Sequence, residues 1–289
     1  MHFLSNEVLS IEIAAKGAEL QSIYHLQNKI EYLWSGDSKY WAKKSPVLFP
    51  IVGGLKGNEY QYKGKTYHLG RHGFARDNDF EVSERTPESI TFCLKSNEQT
   101  KLVYPFDFCF KVKYTLQSAQ LTVAFIVENT GENELLFSVG AHPAFAVPID
   151  KNLKYEDYYL HFNKTENAGR WPLSTEGLKE EKPVPLLENA AILPLQKELF
   201  YKDAIVLKNL KSDSISIVSD KSTNGVKVSF DGFPYMGIWA AKDADFVCIE
   251  PWCGIADSVK ANGSLTDKEG IIKLPAKQTF EFAYIIDLF

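Results

Sequence analysis

The 289-residue chain predicts an all-β protein, a single large antiparallel β-sandwich, on three observations. Apolar residues recur with a period of two: Phe108, Phe110, Val112, Tyr114 and Leu116 alternate with Cys109, Lys111, Lys113 and Thr115, the signature of a strand with one buried face. Runs of this kind follow one another at even spacing, separated by turn residues. Hydrophobic residues make up 45% of the chain and aromatics 13%, enough to build a large core. Length alone would suggest about two domains, yet large sandwiches often exceed the average domain. No Gly/Ser-rich or Pro-rich linker, internal repeat or low-complexity tract divides residues 1–289, so one domain is expected.

The elements follow in order. The first sixteen residues alternate like a strand, and strands are expected over 8–13 and 18–25. A short helical stretch is expected at 37–43. Alternation over 60–62 and 65–68 around Lys63-Gly64 makes a compact hairpin. Strands at 79–85 and 89–95 precede the strongly alternating run 108–116. Gln117-Ser118-Ala119-Gln120 then turns the chain into an apolar partner at 121–127. Strands are expected next at 134–140 and 157–163. The tract 167–195 is polar, carries four prolines, and reads as a long excursion from the sandwich. Beyond it, strands are expected at 203–208, 214–219, 225–230, 235–240, 246–250 and 279–287, with a second short helical stretch at 254–259.

Composition narrows the partners. A net charge of −5 and a pI near 5.8 offer no footprint for a nucleic-acid backbone. No apolar run reaches membrane-spanning length. The N-terminal residues lack the basic region, apolar stretch and cleavage site of a signal peptide, so a cytoplasmic protein is expected. The four cysteines, Cys93, Cys109, Cys248 and Cys253, contain no Cys-x-x-Cys pair and sit mostly in apolar runs. They read as reduced, buried thiols, with a disulfide possible but unsupported.

Four of the 32 basic residues are arginines, and two of these fall in Arg71-His72-Gly73-Phe74-Ala75-Arg76. Arginine suits places where a planar donor fork must hold oxygen acceptors in a fixed geometry. The segment also holds one of six histidines, and Gly70 and Gly73 permit a sharp turn. It reads as a polar site on a turn, for sugar hydroxyls, a carboxylate or a phosphate; the bland reading is an exposed hairpin end. Three further segments carry possible chemistry. In Ser138-Val139-Gly140-Ala141-His142-Pro143, the histidine precedes proline and should be extended at a strand end. In Phe246-Val247-Cys248-Ile249-Glu250-Pro251-Trp252, a carboxylate ends a strongly apolar strand, where it must be paired, hydrogen-bonded or open to a cavity. Asp203 leads into the apolar run Ala204-Ile205-Val206-Leu207 and is by itself an ordinary turn residue. A metal site from His68, His72 and His142 would need a helix that Gly70 and Gly73 oppose. A glycosidase could use Glu250 and Asp203 but leaves the histidines without a purpose.

Together these segments resemble the aldose 1-epimerase (galactose mutarotase) family, in its LacX-type branch, related also to the hexose-6-phosphate mutarotases. The resemblance runs almost end to end. It covers Ser45-Pro46-Val47-Leu48-Phe49-Pro50 with Gly53-Gly54, the Arg71 to Asp77 segment, Ala141-His142-Pro143, Asp203 with its strand, and Cys248 to Trp252. It implies a β-supersandwich with the sugar lying across a concave sheet, and no metal or organic cofactor. Position by position, Glu250 matches the family's general base, His142 its general acid and His72 its second active-site histidine. Asp203 matches a carboxylate that binds sugar hydroxyls, and Arg71 and Arg76 match pocket arginines of this branch. The first histidine stands in an arginine-rich motif unlike that typical of galactose-specific enzymes, and relatives acting on phosphorylated hexoses share the motif.

The expected activity is interconversion of α and β anomers of an aldohexose. The alternatives are a hexose-6-phosphate 1-epimerase and a non-catalytic carbohydrate-binding protein on the same fold. Opening the ring takes a proton from the C1 hydroxyl and delivers one to the ring oxygen, and a carboxylate and an imidazolium suit these roles. Contacts from Arg71, His72, Arg76 and Asp203 would retain the open-chain aldehyde. Trp239 or Trp252 could stack on the sugar, although core packing is the commoner role for either.

Overall fold

A computed structural model describes residues 1–289, and nearly all of its regular structure is antiparallel strand. The largest sheet has nine strands. From one edge they are Val184–Pro194, Tyr159–Arg170, Ser214–Ser219, Ser222–Ser229, Thr279–Leu288, Gln120–Asn129, Phe108–Gln117, Ser89–Lys95 and Glu81–Arg85. Period two places side chains as expected: Phe108, Phe110, Val112, Tyr114 and Leu116 are buried, while Lys111, Lys113 and Thr115 are partly exposed. A four-stranded sheet (His2–Ser5, Leu9–Ile13, Leu20–His25 and Ile30–Glu31) and a five-stranded one complete the main layers. A hydrophobic cluster of 70 buried residues draws on all three sheets. Its aromatic centre includes Phe49, stacked on Phe110 with ring centroids 4.5 Å apart. No helix is long and apolar enough to cross a membrane.

The five-stranded sheet holds the features that matter below. The strand Phe246–Cys253 is buried at every position. On one side it pairs with Tyr235–Trp239, which in turn pairs with Ile205–Lys208. On the other side two short pieces share the work: Val139–Gly140 pairs with Cys253 and Trp252, and Ala144–Ala146 pairs with Cys248 to Phe246. Between them Ala141 to Pro143 keep the same register opposite residues 251 to 249, and Ala141 N–H still bonds to Pro251 O, but Pro143 and Pro251 lack the N–H groups that would complete the ladder.

Several expectations need correction. The strand expected to end at residue 250 continues through Pro251 to Cys253. Pro251 is tolerated because its missing N–H faces the broken ladder, where its carbonyl still accepts the Ala141 N–H at 3.0 Å. The run 134–140 is two strands: Leu135–Phe137 pairs with Ile272–Leu274 and Val139–Gly140 with the central strand, parted where Ser138 N–H turns to the Pro50 carbonyl. Neither expected helical stretch forms. At 37–43 the chain makes a turn, and the Trp41 carbonyl accepts the indole N–H of Trp34 at 2.8 Å. At 254–259 the backbone bonds elsewhere: Ile255 O to the Lys268 ammonium at 2.6 Å, and Asp257 N–H to Gly54 O at 2.9 Å. Such bonds take the groups a helix would need. The α-helix that does form, Glu98–Val103, opens on a capping box between Asn97 and Thr100. The tract 167–195 is mostly a hairpin of Tyr159–Arg170 and Val184–Pro194, with only residues 171–183 irregular. Pro185 and Pro194 are accommodated because their strand is the edge of its sheet.

Candidate active site

Phe49 builds the first wall from both ends of its residue. Its ring is fixed in the core, and its carbonyl accepts the N–H groups of Phe74 and Ala75, both at 3.1 Å. The arginine-rich turn is thereby drawn against the core. A Cβ at Gly73 would lie 2.3 Å from that carbonyl oxygen, so this close approach requires glycine. His72 has φ of 69°, a costly conformation for a side-chain-bearing residue. Two bonds to Gly53 hold it there: His72 N–H donates to Gly53 O at 2.9 Å, and Gly53 N–H donates to His72 Nδ1 at 3.1 Å. With Nδ1 accepting, the proton of a neutral imidazole belongs on Nε2. Burial, then His142, Arg76 and Arg71, hold the His72 pKa well below the usual histidine range, so the ring is a neutral donor.

The broken ladder supplies the second wall. Glu250 points from the middle of the central strand and is 1% exposed. His142 falls directly opposite it in the unbroken register of the flanking strands, and its Nε2 stands 3.4 Å from Glu250 Oε2. Glu250 Oε2 and His142 Nδ1 are both buried without a hydrogen bond. Burial, reinforced by the charge of Asp203, raises the Glu250 pKa well above the carboxylate range. Burial also lowers that of His142 to about 3. Both directions favour an uncharged pair that holds one proton, on the carboxyl. Two orphaned polar atoms at one spot are costly unless something else meets them.

Aromatic rings fix the histidine. Trp41 stacks on His142 with centroids 5.0 Å apart and planes 28° apart, and Trp239 meets it edge-on at 5.6 Å. His72 approaches it edge-on at 5.8 Å. Trp252 lies across its flanking strands, where a Cβ on Gly237 would fall 2.3 Å from the indole and one on Gly140 2.6 Å. Its Nε1 donates to Ala141 O at 3.1 Å, which anchors the segment that carries His142.

The third wall comes from distant chain. Asp203, with φ of 73°, caps the strand Ile205–Lys208 by accepting Ala204 N–H, and its other oxygen faces Arg71 Nη2 at 3.4 Å. The Arg71 guanidinium lies flat against Gly177, where a Cβ would sit 1.8 Å from Nη2. Gly177 belongs to a tight turn closed by Gly177 N–H to Ser174 O and Ser174 N–H to Leu178 O, each 2.8 Å. Arg76 donates from Nη2 to Arg71 O at 2.9 Å, while its Nε is buried without a hydrogen bond, 3.7 Å from the Asp77 carboxylate.

These walls enclose a cavity of about 500 Å³. All six residues singled out from the sequence, Arg71, His72, Arg76, His142, Asp203 and Glu250, line it, as do Trp239 and Trp252. His68 does not; it lies on the hairpin strand Lys65–His68, 3.9 Å from Glu59, so the three-histidine set never assembles. A different trio, His142, Cys248 and Glu250, brings its donor atoms within 4.8 Å of one another, but two of the three form the proton-holding pair. Sequence reasoning missed Trp41, Gly177 and Lys242, which also line the cavity. Trp41 was hidden in the stretch expected to be helical. Nothing in the local sequence around Gly177 or Lys242 marks either of them.

The aldose 1-epimerase family model matches residues 2–271. Protein LacX from Lactococcus lactis subsp. lactis is 35% identical over 99% of this chain and 98% of its own. Among solved structures, a galactose mutarotase related enzyme from Lactobacillus acidophilus superposes with a TM-score of 0.95 at 38% identity, covering 100% of this chain and 97% of that one. A galactose mutarotase-like protein from Lactobacillus casei gives 0.92 at 28% identity, with 100% of both chains covered.

Proposed function

The chain belongs to the aldose 1-epimerase family, and we propose that it interconverts the α and β anomers of a free aldohexose, with Glu250 and His142 as the proton-transfer pair. The observation that carries this reading is their 3.4 Å approach on the cavity wall. The hydroxyl oxygen to be deprotonated and the ring oxygen to be protonated are bonded to the same carbon, C1. A base and an acid that serve both must therefore converge, and these two do.

The resting pair holds one proton. Its transfer from Glu250 to His142 creates a carboxylate and an imidazolium without net proton uptake. Arg71 favours the carboxylate electrostatically, and a bound C1 hydroxyl donating to Glu250 favours it further. Glu250 then takes the C1 hydroxyl proton while His142 gives one to the ring oxygen. The bond between C1 and the ring oxygen breaks, that oxygen stays on C5 as a hydroxyl, and C1 becomes an aldehyde. Rotation about C1–C2 presents the other face, and the two groups exchange roles on closure. Each positioned transfer contributes roughly 10²–10⁴-fold. His72 Nε2–H, the arginines and Asp203 keep the open chain in place.

The pairing of Arg71 with Asp203 supports a neutral sugar, because that guanidinium's charge is already balanced. The second reading, a hexose 6-phosphate, draws on Arg76, whose Nε makes no hydrogen bond although Asp77 lies 3.7 Å away, and on the exposed Lys242 in the same cavity. Polarimetry or exchange NMR on a panel of free and 6-phosphorylated hexoses tests both. Faster anomer exchange of a free aldohexose is expected. Tighter binding and faster turnover of a 6-phosphate would replace the first reading with the second. No acceleration of any hexose would leave a carbohydrate-binding protein.

A further inference from the structure

The four cysteines divide into two kinds. Cys248 and Cys253 belong to the hydrophobic cluster, and burial raises both thiol pKa values, that of Cys253 to about 12. Cys93 and Cys109 are covered too, at 7% and 4% exposure, but neither belongs to that cluster. Their strands explain this. In Ser89–Lys95 the core-facing residues are Ile90, Phe92 and Leu94, and in Phe108–Gln117 they are Phe108, Phe110, Val112, Tyr114 and Leu116. Period two turns Cys93 and Cys109 to the outer face, among Thr91, Lys111 and Lys113. Register pairs Cys93 with Lys111 and Lys95 with Cys109, which makes the two cysteines diagonal neighbours. Their sulfurs lie 2.8 Å apart, in hydrogen-bond contact in which either can donate.

We propose that Cys93 and Cys109 are a reversible oxidation site: a dithiol that a peroxide converts to a cross-strand disulfide on the outer face of the nine-stranded sheet. The hydrogen bond from Cys109 lowers the Cys93 pKa against the opposing effect of burial. Lys95 and Lys111 assist, while Glu128, itself bound to Lys111 at 2.5 Å, opposes. Cys109 is shifted upward, chiefly by the same hydrogen bond and by burial, so the pair has one nucleophile and one proton holder. The Cys93 thiolate attacks one peroxide oxygen, the O–O bond breaks, and the departing hydroxide leaves as water with the displaced proton. Cys109 then attacks the sulfenic sulfur, a second water leaves, and the S–S bond forms. Two thiols are oxidised by two electrons, and one hydrogen peroxide is reduced to two waters. The sulfurs must close by about 0.8 Å to reach disulfide bonding distance.

The test exposes the native protein to hydrogen peroxide, then counts thiols after unfolding and measures the intact mass. We expect the count to fall from four to two, the mass to drop by about 2 Da, and dithiothreitol to restore both. Peptide mapping should join the peptide containing Cys93 to that containing Cys109. Cys93→Ser should retain its remaining three thiols at the same peroxide dose. The proposal is overturned if wild type keeps four thiols, if oxygen adducts accumulate without a link, or if Cys93→Ser loses a thiol pair equally well.

Discussion

The nine-stranded and five-stranded sheets follow the same pairing rules to opposite ends. From Ser89–Lys95 across to Thr279–Leu288 the larger sheet keeps its register unbroken, and the side chains it sends to the core are apolar. The smaller sheet is interrupted beside its most buried strand, and that interruption admits a histidine and a carboxylate with unpaired polar atoms. One sheet concentrates stabilising contacts, and the other carries groups that are costly to bury. The difference teaches that the proposed chemistry rests on a local interruption held in place by a regular neighbour, with Phe49 as one of the joints between them.

The separation can be broken by experiment. The largest effect expected is on stability. Phe125→Ala, which removes a ring packed between Phe110 and Tyr284, should cost about 3–5 kcal/mol. Urea unfolding measures it, and turnover per folded molecule should hardly change. A parallel collapse of kcat would show that the sheets are not independent. Next come Glu250→Gln and His142→Asn, each expected to lower kcat about 100-fold or more. Glu250→Gln removes a carboxyl whose charge is disfavoured by burial, so its unfolding midpoint should hold or rise. His72→Asn should also be damaging, whereas His25, His68 and His161 should be dispensable.

The same pair fixes the pH response. A second proton disables it as pH falls toward the His142 value of about 3, and loss of its only proton disables it above the raised Glu250 pKa. Catalysed kcat/KM should therefore be flat through pH 6.5. A histidine-like inflection there would contradict the neutral, buried pair.

Smaller effects probe the supports. Gly177→Ala pushes a methyl into the space of the Arg71 guanidinium at a left-handed φ of 74°, and should raise KM several-fold, on the order of 1 kcal/mol. Trp41→Leu removes the ring stacked on His142 and, with it, cation–π support for the imidazolium, of about 0.5–1 kcal/mol. The expected sign is a lower kcat with KM little changed; an equal loss in KM would make Trp41 a sugar contact instead. Arg76→Lys should be smallest for a neutral aldose, weakening free and phosphorylated sugars alike with little salt dependence. A selective loss of roughly 1.5–3 kcal/mol for the 6-phosphate, deepened by salt, would mark Arg76 as a phosphate ligand.

Much of the larger sheet was legible because alternation is a local signal: the run from Phe108 to Leu116 announces its own buried face. The cavity residues were legible as segments, since arginine is scarce and His-Pro and Glu-Pro interrupt apolar runs. Their convergence was not. Nothing local says that His142 falls opposite Glu250, because that register joins strands far apart in the sequence. The missed helix at Glu98–Val103 is only six residues long and is defined by its Asn97 cap more than by any apolar period. Trp41 was misread for the converse reason. A turn whose carbonyl is claimed by Trp34 looks helical until that distant partner is known.

The Ser174–Gly177 turn has a practical consequence for altering this protein. It reaches the cavity from a tract whose backbone is tied at Trp171 to Val206 and at Lys179 to Asp257 and Val259, with no bond to Glu250 or His142. A library confined to residues 173–178 would therefore vary the wall behind Arg71 while the proposed proton-transfer pair stays unmutated. Selection on such a library could move sugar preference without first having to rescue turnover.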